Sequence, residues 1–117
     1  MSEAQTQTPL TPAMFHVLLA LADGDKHGYA ILKEVAEQTN GEVQLGTGTL
    51  YGIIKRLLMS GLITEVRRST LKNDDPRRRY YRLTDSGRET AVAEAKRLEK
   101  LVAQARSKRL IKVLRPA

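Results

Sequence analysis

The stretch TGTLYGIIKRLLMSGLITEVRR, residues 47–68, changes its hydrophobic period in mid-course, and that change decides the fold. Up to Ser60 the apolar residues Leu50, Ile53, Ile54, Leu57 and Leu58 recur at the i, i+3, i+4, i+7, i+8 spacing of one helix face. The opposite face carries Gly48, Gly52, Lys55, Arg56 and Met59, and Gly61 ends the helix. Beyond Gly61 the period drops to two: Ile63, Glu65 and Arg67 alternate with Thr64, Val66 and Arg68. A polar loop from Leu71 to Pro76 follows, and Arg77 to Leu83 resumes the extended pattern with Tyr81 and Leu83 on one side. The reading is a helix followed by a β-hairpin with a polar tip. Two glycines on an exposed helix face cost about 1 kcal/mol each relative to alanine. Such a helix is either slack or shaped to lie close against a flat or grooved surface.

Upstream, Thr11-Pro12 offers an N-cap followed by proline at the first helical position. Ala13 to Ala22 is apolar almost all round, with His16 its only polar side chain. A helix of that kind is covered on more than one side. A small core covers one side, so a second copy of the chain is the natural cover for the other. Asp23-Gly24-Asp25 reads as a turn. A second helix fits His27 to Gln38, with Tyr29, Leu32 and Val35 on one stripe, and Asn40-Gly41 stops it.

Downstream, Thr84-Asp85-Ser86 caps a final helix that runs from about Gly87 to beyond Ala105. Ala91, Ala95, Leu98, Val102 and Ala105 are spaced 4, 3, 4, 3, a heptad seam that Leu101 widens. Two heptads are too few for an independent coiled coil but suffice against another apolar helix. The seam loses its phase at Arg109. The organisation is therefore a flexible tail over 1–10, a compact unit over 11–84, a dimerisation helix over 85–107 and a basic tail over 108–117.

Length and composition narrow the function. At 117 residues the chain has room for one domain with an appended element. Residues 1–54 carry two basic and six acidic residues, whereas residues 55–117 carry 18 basic and seven acidic, so the net charge of +7 is concentrated in the second half. That asymmetry points to a polyanionic partner. Seven basic residues fall between Val66 and Arg82: Arg67, Arg68, Lys72, Arg77, Arg78, Arg79 and Arg82. Cysteine is absent and there are two histidines, which excludes a thiolate site and argues against a metal centre or any cofactor. There is no Ser/His/Asp arrangement, phosphate loop or paired carboxylate in an apolar setting, so no enzyme is expected. No apolar run approaches membrane-spanning length and the first ten residues lack a secretory pattern, so the expected location is the cytoplasm, with no membrane partner.

Three helices followed by a basic hairpin form a winged helix-turn-helix, here a mostly α fold with a small β-hairpin and a C-terminal dimerisation helix. In that arrangement the third helix enters the major groove of double-stranded DNA and the wing touches phosphates or the minor groove. Lys55 and Arg56 are then the groove-side cations. Lys72, Arg77, Arg78 and Arg79 supply the wing's charge, since guanidinium groups match phosphate oxygens in pairs. Strand alternation lets at most two of the three adjacent arginines face DNA from one side. Thr47 and Thr49, at the helix start, either cap it or cap it and contact a phosphate. Tyr29 reads as core, and His16 and His27 as structural. Lys96, Arg97, Lys100, Arg106 and Lys108 read as a solvated helix face. The dimer interface is expected at Phe15, Leu18 and Leu19 of the first helix and at Ala91, Ala95, Leu98, Leu101, Val102 and Ala105 of the last.

The string His27-Gly28-Tyr29-Ala30-Ile31, then Gly48-Thr49-Leu50-Tyr51, then Gly61-Leu62-Ile63, then Arg78-Arg79-Tyr80-Tyr81-Arg82-Leu83-Thr84 with Gly87, resembles the PadR family of bacterial transcriptional regulators. The pieces are individually common and specific in this order, and they span about residues 10–107. Members commonly have a proline before the Gly-Thr-Leu-Tyr run. Thr47 stands there instead and can cap the helix. The resemblance implies a short-type repressor that is a homodimer, with the C-terminal helix reaching the partner's first helix. It also implies an inverted-repeat operator, a Tyr51 hydroxyl near the DNA backbone, and release by a small-molecule effector. Tryptophan is absent, so a cavity that stacks planar ligands on indole rings, as in one branch of the family, does not exist here in that form. Phe15 or a tyrosine could line a smaller one. The competing reading is a winged-helix module that binds acidic proteins or RNA without sequence-specific DNA binding.

Overall fold

The computed structural model describes residues 10–67 and 78–112. The tail over 1–9, the wing residues Arg68, Lys72 and Arg77, and the tail residues 113–117 lie outside the described residues.

Helix α1 is Pro12–Leu21. The Thr11 hydroxyl accepts the Met14 N–H at 3.1 Å, and Pro12 occupies a first-turn position where no N–H is needed. A two-residue strand β1, Lys26–His27, leads into α2, Gly28–Gln38. Helix α2 is capped by His27, whose Nδ1 accepts the Ala30 N–H at 3.2 Å. It stops where Asn40 adopts φ 53° and Gly41 φ 83°, with the Gly41 N–H reaching back to the Ala36 carbonyl at 2.7 Å. Helix α3 is Thr47–Met59. Strands β2, Ile63–Val66, and β3, Tyr80–Leu83, pair antiparallel with Ile63 opposite Leu83. Helix α4, Asp85–Ser107, is capped by the Thr84 hydroxyl, which accepts the Gly87 N–H at 2.9 Å.

The α3 face that the periodicity assigns to the core lies inside: Leu50, Ile53, Ile54 and Leu57 are buried, with Leu58 half-buried. They meet Val17, Leu18 and Leu21 of α1, Ile31 and Val35 of α2, and Tyr81 and Leu83 of β3. Burial of each such side chain contributes about 1.5–3 kcal/mol.

One expectation is extended and four are corrected. The sheet has three strands in the order β1-β3-β2, because Lys26 and His27 pair with Tyr81 and Tyr80 on the far side of β3 from β2. The N-cap of α3 is Gly46 with no side-chain bond, so Thr47 is the first helical residue rather than the cap. Tyr29 is 66% exposed, not core; Gly28, Ile31 and Val35 turn inward instead. The chain itself covers most of α1, burying Met14, Val17, Leu18, Ala20 and Leu21, and leaves Leu19 exposed beside half-buried Phe15 and His16. Leu18 is wholly buried in its own core and has no surface to offer a partner.

Lys26 fastens this assembly. Its Nζ donates to the Ala20 carbonyl at the end of α1 (2.6 Å) and to Asp23 (2.5 Å), and lies 3.4 Å from Glu34 of α2. Burial opposes its charge, but the hydrogen bond to Asp23 and the negative charges of Glu34 and Asp23 outweigh it and raise its pKa above the ordinary 10.5. Hydrogen bonds made by a charged group contribute about 1.5–3 kcal/mol. Lys26→Met should therefore lower stability at neutral pH by about 2 kcal/mol. A pKa raised on folding gives stability that is complete below the unfolded value and lost as pH rises through the folded one. The gap between variant and unmodified chain should narrow as pH rises beyond 10.5 through the raised folded value. Urea unfolding at neutral and strongly alkaline pH checks both.

Candidate nucleic-acid interface

Helix α3 turns Gly48, Gly52, Lys55 and Met59 outward, one residue per turn along a line opposite its buried stripe. A Cβ built on Gly48 or Gly52 meets nothing within 4 Å, so the chain itself does not use the space these glycines leave. Thr47, Thr49 and Arg56 are exposed along the same helix, with Met59 at 79% exposure near its end. The result is a flat, open ridge with cations towards its C-terminal half.

Beside the ridge lies a cleft of about 420 Å³ lined by His27, Gly28, Tyr29, Tyr51, Arg78 and Arg79, where the start of α2, the flank of α3 and the base of the wing converge. Tyr51 is half exposed, and its hydroxyl is pressed so close to the α2 backbone that a Cβ on Gly28 would collide with it. The glycine is what lets the ring lie there. Arg78 reaches His27, Nη1 to Nε2 3.2 Å. Arg79 is 71% exposed and only 3.9 Å from Glu65, a pairing too long and wet to hold it.

Arg82 is different from its neighbours. It grips Asp25 with two bonds, 3.0 and 2.8 Å, which raises its own pKa through that hydrogen bond and the carboxylate's charge. It is spent on pinning β3 to the turn before β1. The other described cations of the wing, Arg67, Arg78 and Arg79, are all exposed.

Of the expected contact residues, Tyr51, Arg78 and Arg79 line the cleft, and Thr47, Thr49, Lys55 and Arg56 are exposed at different angles around α3, whereas Lys72 and Arg77 lie outside the described residues. Sequence reasoning misses His27 and Tyr29 as members of this site. The His27-Gly28-Tyr29 string is the available signal, since a glycine between two aromatic rings at a helix start marks a close approach.

On α4 only Gly87 is buried. Ala91 packs partly on the core, Leu98 and Ala105 are half-buried, and Ala95, Leu101 and Val102 are exposed, so the seam stands largely uncovered. The helix ends at Ser107 and Arg109 adopts φ 64°, where the seam loses its phase. No helix among the described residues is long and apolar enough to cross a membrane.

The chain is 39% identical over 89 residues to an uncharacterized 37.1 kDa protein in transposon TN4556 of Streptomyces fradiae, a match covering 76% of this chain and 24% of that protein. It thus spans about a quarter of that relative's length. Its fold matches the crystal structure of a PadR family transcription regulator from hypervirulent Clostridium difficile R20291 with a TM-score of 0.67 and 26% identity, covering 84% of this chain and 97% of that one. It matches Bacillus subtilis PadR in complex with operator DNA with a TM-score of 0.63 and 24% identity, over 73% of this chain and 47% of that one. Residues 17–93 match the model of the transcriptional regulator PadR-like family. Those residues take in the exposed ridge of α3, the cleft and the start of the uncovered helix, and on them the chain belongs to the PadR-like family of transcriptional regulators.

Proposed function

We propose that this chain is a homodimeric transcriptional repressor that reads an inverted-repeat operator with α3, holds the backbone with its wing, and is released by a small-molecule effector. The observation that carries the DNA reading is the open Gly48/Gly52/Lys55 ridge beside an arginine-lined cleft. A groove wall can approach such a ridge to backbone distance, and the flanking guanidinium groups meet phosphates on either side. The operator complex of Bacillus subtilis PadR, a chain of the same fold, is in keeping with this ligand. Dimerisation is supported by the uncovered seam of Ala95, Leu98, Leu101, Val102 and Ala105 and by Phe15 and Leu19 on α1. Release by an effector rests on the family resemblance.

Selection of genomic fragments with the purified chain tests the reading. Enrichment of inverted repeats, half-sites about one helical turn apart, supports a dimeric groove reader. No enrichment over random fragments, with retention of acidic proteins or RNA instead, overturns it in favour of an interaction module.

With an operator in hand, reading and positioning separate. A bidentate base contact is worth about 1–3 kcal/mol of discrimination. Lys55→Ala or Arg56→Ala should therefore weaken the operator more than a random duplex. Arg78→Ala with Arg79→Ala should weaken both by a similar factor, because phosphate contacts carry register and not sequence. The salt slope should fall by about 0.9 for each phosphate that is no longer neutralised. If the wing pair alone loses discrimination, the reader is an arginine in the minor groove.

A further inference from the structure

Helix α4 is anchored near its start. Gly87 lies against the Leu62 carbonyl, and Ala91, one turn on, is the last described residue of the helix that packs on the core. From there α4 runs on to Ser107, about 24 Å further. A tilt of about 10° at its base carries the far end about 4 Å, slightly more than one base-pair step. Gly87 and Ala91 are four residues apart and so stack on one line along the helix. Contact along a line stops the helix from moving inward but leaves it free to swing sideways. Arg88 stands about 100° round the helix from Gly87, off that line. Its Nη2 donates to the Ala22 carbonyl at 3.0 Å, joining α4 to the end of α1.

The end of α1 suits a guanidinium. The last carbonyls of a helix have no partner within it, and that end of a helix attracts cations. Lys26 takes the Ala20 carbonyl and Arg88 takes that of Ala22. Arg88 is itself exposed, so the tie adds little to folding. What it adds is direction. We propose that Arg88 is a positioning residue: it fixes the angle of α4, and thereby the separation of the two α3 helices in the dimer. The proposal rests on the homodimeric DNA reading above and deepens it, because the angle then selects the spacing of operator half-sites that the protein accepts.

Arg88→Met keeps the reach and helix propensity of the side chain and removes the donor. Melting temperature and salt slope should stay those of the unmodified chain, since neither a core contact nor a phosphate contact is lost. The chain has no cysteine, so a spin label on Ser60→Cys, at the end of α3, reads one distance across the dimer. With Arg88 in place that distance should be narrowly distributed. In Arg88→Met it should shift or widen by about 3.4 Å, one base-pair step, or more. Inserting one base pair between the operator half-sites should weaken binding of the unmodified protein. Arg88→Met should shrink that penalty by roughly 2- to 30-fold, the range for substitutions that alter coupling between distant sites. An unchanged distance distribution would overturn the proposal, and so would an unchanged penalty for the inserted base pair. A dimer that binds no duplex overturns the DNA reading alone, and the label distance then decides the role of Arg88. A monomer, recognised by its sedimentation, overturns the dimer reading and this inference with it.

Discussion

Gly87→Ala is expected to be the most damaging single-methyl addition in the chain, lowering stability by about 3 kcal/mol, the upper end for overpacking against a well-fitted neighbour. A Cβ there would collide with the Leu62 carbonyl oxygen and stand 2.9 Å from Leu83 Cδ1. The oxygen cannot retreat. It accepts the Thr84 N–H at 3.1 Å, while the Leu62 N–H is bound to the Leu57 carbonyl at 3.0 Å in the closing turn of α3. Thr84 completes the knot by donating its hydroxyl to the Gly61 carbonyl at 2.7 Å while capping α4. Four elements end or begin within this cluster, so the methyl must lift the first turn of α4 off the sheet. The melting temperature should fall by more than about 10 °C for a domain of this size. Gly48→Ala, whose Cβ meets nothing, is the control and should not melt earlier. Equal melting of the two variants would remove the knot from the account of how α4 is held.

How far the sequence is legible follows from where period and capping chemistry are unambiguous. Helix α3 and the hairpin are legible because a strict five-residue stripe gives way to alternation across Gly61, whose φ of 74° closes the helix. The cap of α4 is legible because Thr84 precedes an uninterrupted helical pattern. Strand β1 is not: two residues have no period, and it exists because Asp25 grips Arg82 across the sheet. Thr47 cannot be told from a cap by type alone, since Gly46 before it serves equally well. Tyr29 leaves the stripe that its spacing suggests because α2 begins one residue before it, and the inward positions run through Gly28, Ile31 and Val35. For α1 the composition is legible and the geometry is not. The fold wraps α2, α3 and β3 around Leu18, a matter of tertiary packing that no local pattern carries. At the site, the cations of α3 are legible from their place opposite the stripe. His27 is not, because its contact with Arg78 spans 51 residues of sequence.

Gly52→Gln is expected to move stability and DNA affinity in opposite directions. Gly52 sits in the interior of α3 with nothing within 4 Å of a built Cβ. Replacing it with a good helix former removes most of the roughly 1 kcal/mol that glycine costs at such a position, so the free protein should melt later. In the proposed complex the same position lies on the ridge that would approach the groove. A side chain there must displace either the helix or the DNA, at about 1–3 kcal/mol for each subunit if the interface is packed like a protein core. For a dimer that amounts to roughly 30-fold to 10⁴-fold weaker operator binding, taking 1.4 kcal/mol per tenfold. Because no charge is removed, the dependence on salt should stay close to that of the unmodified chain, unlike the wing substitutions, which reduce it. Melting curves and operator titrations at two salt concentrations decide the matter. A variant that melts later and binds as before would mean that α3 does not enter the groove along the Gly48/Gly52 line. The two glycines would then be a plain cost to the helix, and the reading surface would have to be sought on the Thr49 and Arg56 side of α3 instead.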